Sequence, residues 1–224
     1  MSDVRNEILA RVRAAAATAV LPRLQGKAPL SDTQTAPLPL LPAFIQEATA
    51  LGCVMHGPTT ALEAVDVVVS ILREMHAHEL MAWGAADLPA PGLRDALIER
   101  GFQFLDDTLP ADREGRAAQL AKLDEVDVGV TGAFAGLADT GSLVLASGAG
   151  RARLAWLLPP VHIALLPVSR LHASLSDLLS RQREIVAASA NVVVVTGPSR
   201  TGDIEQVLTR GVHGPGTLHV VLLG

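Results

Sequence analysis

The sequence predicts an α/β fold, a mostly parallel or mixed sheet covered by helices on both faces. Three observations point there. Short runs of Val, Leu and Ile, such as residues 192–196 and 218–223, have the length of buried strands. Segments with apolar residues at helical spacing alternate with them, the order expected of parallel strands joined by helices. Hydrophobic residues make up 49% of the 224 and charged residues 18%, which supplies a core and excludes a disordered chain.

The elements follow in order. Ile8, Leu9 and Val12 share one face of an N-terminal surface helix. Asp3 and Glu7 stand where an export signal needs a basic start, so a cytoplasmic protein is expected. Pro22, Pro29, Pro37, Pro39 and Pro42 then define an extended arm, which either wraps its own domain or docks on a second copy in a homo-oligomer. Residues 1–42 are thus set apart from an α/β domain over 43–224. Within it, residues 43–51 form a helix that Gly52 stops, before a short strand at 53–55. Val65, Val68, Leu72 and Met75 mark the buried stripe of a helix over 61–75. Strands are expected at 80–83, 102–105 and 126–130, with helices at 93–100 and 113–123. The strands at 142–146 and 162–167 follow with short connections, which implies an antiparallel excursion. Helices over 174–186 and 203–209 flank the strand at 192–196, and 218–223 is the last strand.

Composition excludes several functions. The 18 Lys+Arg against 23 Asp+Glu leave a net charge of −5, against nucleic acid as a partner. Cys53 stands alone, so the chain builds no internal disulfide, structural zinc site or iron–sulfur cluster. No His-Glu-x-x-His or Cys-x-x-Cys spacing occurs, so neither a metal site nor a cofactor is expected on this chain. The greasiest stretch, 154–168, is broken by Pro159, Pro160, His162 and Pro167, and no membrane span is expected.

Three loops carry candidate chemistry. In the first, Gly129, Thr131, Gly132, Asp139, Thr140, Gly141 and Ser142 follow a strand. The glycines would let backbone approach a ligand, and a helix starting near Ala133 would offer N–H groups to an anion. Alternatively, Asp139 and Thr140 satisfy only their own turn. In the second, a strand ending at Thr196 leads through a Gly-Pro turn to Ser199, Arg200 and Thr201, then to a helix with Asp203 and Glu205 in its first turn. This is the outline of an anion site, yet the two carboxylates would repel an anion, and Asp203 with Gln206 fits a capping box. Both readings stand. In the third, His213 and Gly214 lie among glycines and a proline, with His213 either an acid/base or ligand donor or a plain hydrogen-bonder. His162 reads as a core histidine, Cys53 as a buried apolar group, and Arg153 as a second anion contact or a solvated charge. Ligands bind beyond the carboxyl ends of parallel strands. The loops at 131–132, 139–142, 199–203 and 213–215 are therefore expected to meet at one cleft, with Asp139, Asp203, Glu205 and His213 as candidate catalytic groups.

Four stretches in this order carry a family resemblance: Gly-Val-Thr-Gly from 129 with Ala-Asp-Thr-Gly-Ser-Leu from 138, Leu-Pro-Pro-Val-His-Ile from 158, Thr-Gly-Pro-Ser-Arg-Thr-Gly-Asp-Ile-Glu from 196, and Gly-Val-His-Gly-Pro-Gly from 211. The chain resembles the LUD-domain family, in its lactate utilisation protein C branch. The resemblance implies a fold similar to the sugar-phosphate isomerase and CoA-transferase-like sheets. It also implies a subunit role in oxidising L-lactate to pyruvate beside two iron–sulfur partner proteins. Longer members of the wider family carry cysteine-rich cluster motifs, which Cys53 alone does not provide. Two functions stay open: a non-redox subunit that binds a small anionic metabolite, or a stand-alone enzyme on a small phosphorylated or acyl-CoA substrate, as fold relatives are.

Overall fold

A computed structural model describes residues 2–18, 39–202, 208–211 and 213–224. The chain divides into two compact units, Met1–Thr35 and Ala36–Gly224. The first contains helix α1 (Ser2–Thr18), with Val4, Ile8 and Val12 exposed at a spacing of four. Residues 19–38, and with them most of the proline arm, lie outside the described residues.

The second unit opens with α2 (Leu40–Ala50), three residues earlier than expected. Pro39 and Pro42 permit this because the first-turn N–H groups of a helix have no intrahelical partner to lose. Strand β1 (Val54–Thr59) leads through α3 (Glu63–Glu74) to β2 (Glu79–Ala82). Then come α4 (Leu93–Glu99), β3 (Gln103–Phe104), α5 (Arg113–Leu123) and β4 (Val128–Gly132). Val65, Val68 and Leu72 bury the expected stripe of α3, while Met75 ends the helix and is exposed. With β7 (Val161–Pro167) and β12 (Thr217–Leu223), these strands form a sheet of order β1-β12-β7-β4-β2-β3, parallel at every pairing. α3 packs against α4, and α6 (Leu154–Leu157) against β4 and β2; the right-handed rule for parallel crossovers assigns the helices that follow β1 and β2 to one face and those that precede β4 and β7 to the other.

The antiparallel excursion forms a separate sheet. Its order is β8-β5-β6-β9, from β5 (Ala135–Leu137), β6 (Ser142–Ser147), β8 (Leu171–His172) and β9 (Asn191–Val195). Alternation along β6 assigns its faces: Leu143 and Leu145 join the main core with Ile163 and Leu165. Val144 packs outward with Ala135, Leu137 and Leu178. Leu178 belongs to α7 (Leu175–Arg181), capped by Ser174, whose hydroxyl accepts from the Asp177 N–H at 3.2 Å. The helix expected over 174–186 breaks at Gln182 and resumes as α8 (Ile185–Ala188).

One expected helix is absent. Beyond Ala133 the chain runs into strand β5. Gly136 explains this, because a Cβ there would lie 2.7 Å from Leu166 and 2.8 Å from Leu171, so the main core admits only bare backbone. The helix expected over 203–209 falls mostly on residues 203–207, outside the described residues; on either side, β10 (Arg200–Gly202) pairs antiparallel with β11 (Leu208–Arg210). Asp203, Glu205 and Gln206 lie outside the described residues.

Asp127 fastens the entry to the sheet: its Oδ2 accepts the N–H groups of His78 at 2.7 Å and Glu79 at 2.9 Å. Asp127→Ala leaves both donors without this charged acceptor. It is expected to lower stability by about 1–3 kcal/mol, read as a reduced urea midpoint at unchanged slope.

Candidate functional site

A cavity of about 390 Å³ opens at the amino ends of β7 and β12, where His162 and Leu218 reach it. Two of the sequence-predicted loops form one wall. Ser199 N–H donates to the Pro215 carbonyl at 2.8 Å, Gly211 N–H to the Ser199 carbonyl at 3.2 Å, and His213 N–H to Ser199 Oγ at 3.4 Å. Ser199, Arg200, His213 and Gly214 therefore line one space. The exposed Arg200 guanidinium donates to the Leu51 carbonyl at the end of α2. Leu51, Leu157 and Leu218 add an apolar lining, and none of the described lining residues is acidic.

Two deeper side chains went unrecognised as site residues in the sequence. His162 is 2% exposed, and its Nε2 lies 2.8 Å from Thr131 Oγ1. Burial pushes its pKa down to about 3, so the ring is neutral at physiological pH. Its other ring nitrogen makes no hydrogen bond to a described residue. Trp156, 7% exposed on α6, also lines the cavity, and its buried indole N–H has no hydrogen-bond partner among the described residues. A buried donor without a partner is uncommon and marks a place where a ligand acceptor would be favoured. Only the pairing of α6 with the strand ends reveals Trp156; no motif announces it.

The remaining predicted residues are placed elsewhere. Asp139 and Thr140 are exposed in a turn, with the Thr140 hydroxyl 3.2 Å from Asp139 Oδ1. Ser142, 1% exposed, lies 2.9 Å from Thr140 Oγ1 and 2.9 Å from Thr196 Oγ1. That turn adjoins the cavity wall without lining it. Gly141 (φ +62°) packs on the α2 backbone, where a Cβ would sit 2.6 Å from the Glu47 carbonyl carbon. Thr131 contributes only through His162. Gly132 ends β4 against the Asp87 carbonyl and Pro89, at the carboxyl edge of the parallel sheet. The expectation that four loops share one cleft is thus corrected. Thr196 follows a strand of the second sheet, so its loop does not sit at the carboxyl edge of the first. Thr201 pairs with Thr209 in the β10–β11 hairpin, and Asp203 and Glu205 lie outside the described residues.

Cys53 is buried, and burial raises its thiol pKa to about 11 despite the nearby positive charge of Arg200. It is a thiol at neutral pH, not a nucleophile. No group of three or more potential metal ligands occurs among the described residues. A histidine pair was not singled out from the sequence: His56 Nε2 lies 3.0 Å from His219 Nδ1 between β1 and β12. The parallel register sets Val54 opposite His219, so the two imidazoles meet diagonally, a juxtaposition with no sequence signature. Among the described residues, no helix is long and apolar enough to cross a membrane.

A family model described as the LUD domain matches residues 41–223. The chain is 33% identical over 158 residues to lactate utilization protein C of Halalkalibacterium halodurans, covering 68% of this chain and 64% of that protein. Lactate utilization protein C of Bacillus velezensis is 33% identical over 131 residues, 55% of this chain and 53% of that protein. The matched stretches therefore span between about half and two thirds of these relatives' lengths. The crystal structure of a DUF162 family protein from Deinococcus radiodurans superposes with a TM-score of 0.60 at 19% identity. It covers 83% of this chain and 96% of that one, the same α/β fold.

Proposed function

The chain belongs to the LUD-domain family, and on that premise we propose that it is a subunit of a system oxidising L-lactate to pyruvate, itself holding a small carboxylate. The name lactate utilization protein C, borne by the two relatives, supports the lactate role. One buried cysteine supports a division of labour in which iron–sulfur partner proteins carry the electrons and this chain has no cofactor of its own. A cytoplasmic setting, and self-association through the N-terminal arm, belong to the same reading.

The observation that carries the ligand is the composition of the Arg200 cavity. A guanidinium at its edge and an unpartnered Trp156 indole N–H favour a carboxylate, and no described carboxylate on the lining competes for them. The apolar lining from Leu51, Leu157 and Leu218 suits a methyl-bearing body. His162, neutral and oriented by Thr131, is available as a hydrogen-bond partner for a hydroxyl or keto oxygen.

The test is titration of the isolated chain with L-lactate and with pyruvate, read by calorimetry and by tryptophan fluorescence. Trp156 is one of two tryptophans and the one that lines this cavity. Arg200→Ala is expected to weaken binding roughly 10- to 100-fold, the worth of a charged hydrogen bond, and to leave the melting temperature nearly unchanged because the side chain is exposed. Failure of both ligands to bind the unaltered chain removes the carboxylate reading. Turnover of a sugar phosphate or acyl-CoA by the isolated chain favours the stand-alone enzyme, and co-purification with cluster-bearing proteins favours the subunit.

A further inference from the structure

We propose that a second cavity, at the opposite edge of the parallel sheet, is a binding site for a hydroxylated carboxylate larger than lactate, held by Arg151 and Arg170. The cavity measures about 440 Å³ and is reached by Trp83, which follows β2, and by Ala133, which follows β4. Those strands are neighbours in the sheet. From β2 the chain crosses outward to β3, and from β4 it returns inward toward β7, so their connections leave on opposite faces. A crevice outside the carboxyl ends of strands at such a reversal is where open α/β sheets bind ligands. The Arg200 cavity, at the amino ends, does not occupy it.

The chemistry of the lining is that of an anion site with a built-in acceptor. Arg151 Nε is 3.8 Å from Asp87 Oδ1, a contact too long for a hydrogen bond. The same nitrogen is buried and otherwise without a partner among the described residues. Asp87 therefore balances the charge of Arg151 without saturating its donors. Arg170 gives one N–H to the Ala133 carbonyl at 3.1 Å, and a guanidinium has five. The two cations and one carboxylate leave a single positive charge. That balance matches a monoanionic carboxylate head better than a phosphate dianion. Asp87 and Gln182 then face the body of the ligand, where a carboxylate accepts from a hydroxyl and an amide serves either way. Two such groups can engage separate hydroxyls, more than the single hydroxyl of lactate supplies.

The site is also held in place. The loop carrying Arg151 closes on itself, Gly148 N–H donating to the Arg151 carbonyl at 3.2 Å and Arg151 N–H to the Gly148 carbonyl at 3.0 Å. It is tied to the end of β2 by the Gly84 N–H, which donates to the Gly150 carbonyl at 2.7 Å. Gly84 and Gly150 lie against Asp87 Oδ2, and a Cβ at Gly84 would stand 3.2 Å from that oxygen. The missing side chains leave the carboxylate its seat, a preorganised arrangement that spares a ligand the ordering cost.

Calorimetry of the full chain tests this with three probes: gluconate, hexanoate and inorganic phosphate. Gluconate is expected to bind in preference to both others, and Arg170→Ala to weaken it at least tenfold. Arg151→Ala should do the same; because it also frees Asp87, Arg151→Lys serves as the second variant and should keep the fold while losing affinity. Asp87→Asn is expected to lower gluconate affinity and raise that for hexanoate and phosphate, a reversal that mere loosening of the loop would not produce. Arg200→Ala should leave gluconate binding unchanged, so failure here is separable from failure of the lactate site. Absence of gluconate binding, a preference for phosphate, or equal binding by the Arg170→Ala variant overturns the proposal.

Discussion

Lowering the pH from 7.5 to 5 is expected to remove about 4 kcal/mol of folding stability, with histidines rather than carboxylates responsible. His162 and His219 are 2% and 4% exposed, and burial brings their pKa values to about 3 and about 4. The neighbouring His56 adds to the depression at His219, and His56 is itself lowered by burial. In the unfolded chain an imidazole titrates near 6.5. Between that value and the folded pKa the unfolded state binds more protons, so stability is full above about pH 6.5 and is lost as the pH falls. At pH 5 each of the two deeply depressed histidines has given up about 2 kcal/mol, a large part of the roughly 5–15 kcal/mol of a typical domain.

The carboxylates act in another window. Glu63, Asp106 and Asp177 have lowered pKa values, through hydrogen bonds to Thr60 and Thr59, to Thr108, and from Arg181 and His172. Their contribution is present above the unfolded carboxylate pKa and falls only below about pH 4.5. Urea unfolding at pH 7.5, 6.5, 5.5 and 5 therefore isolates the histidines. His162→Gln, which keeps a hydrogen-bonding group beside Thr131, should flatten the dependence by nearly half while costing stability at pH 7.5. Midpoints that stay level from pH 7.5 to 5 would contradict the burial of these rings.

The strands of the parallel sheet were legible because short apolar runs interrupted by prolines and turns have few uses other than buried strands. β4, β7 and β12 fall within a residue or two of the expected ranges. β6 and β9 were equally visible as strands, yet their partition into a second sheet was not. Val193 and Val195 pack on the same core as Ile163, so their hydrophobicity is that of either sheet. The strands flanking residues 203–207 escaped the sequence reading for a different reason. Arg200, Thr201 and Gly202 hold strand geometry through pairing with residues 208–210, a ladder that the helical reading of this stretch did not anticipate, while Asp203 and Gln206 lie outside the described residues. At the candidate site, the loop with Ser199 and Arg200 was legible because Gly, Pro and hydroxyl residues punctuate it. Trp156, Arg151 and Arg170 were not singled out as lead candidates, since each acquires its role from strand order rather than from its neighbours in sequence.

Gly129→Ala is expected to be the most damaging single substitution considered, with a loss of more than about 3 kcal/mol or failure to fold. Glycine after a strand invites the reading of a backbone left bare for a ligand. Gly129 instead lies within β4, every residue of which is buried, and α6 crosses directly over it. An added Cβ would overlap the Ala155 carbonyl oxygen, and would stand 2.9 Å from the carbonyl carbon and 3.0 Å from Pro159 Cγ. None of these is the free end of a flexible side chain, so the helix itself must move. Trp156 is the next residue on α6, and the strand that opens at Val161 carries His162, so the displacement reaches the Arg200 cavity as well. Gly101→Ala supplies the contrast. Its φ of +89° imposes a backbone cost of about 1–2 kcal/mol, but nothing lies within 4 Å of the added methyl. Urea denaturation of the two variants separates steric from conformational cost. Equal losses would mean that α6 does not rest on β4 as closely as described, and a stable Gly129→Ala variant with unaltered Trp156 fluorescence would break the link between helix packing and the cavity.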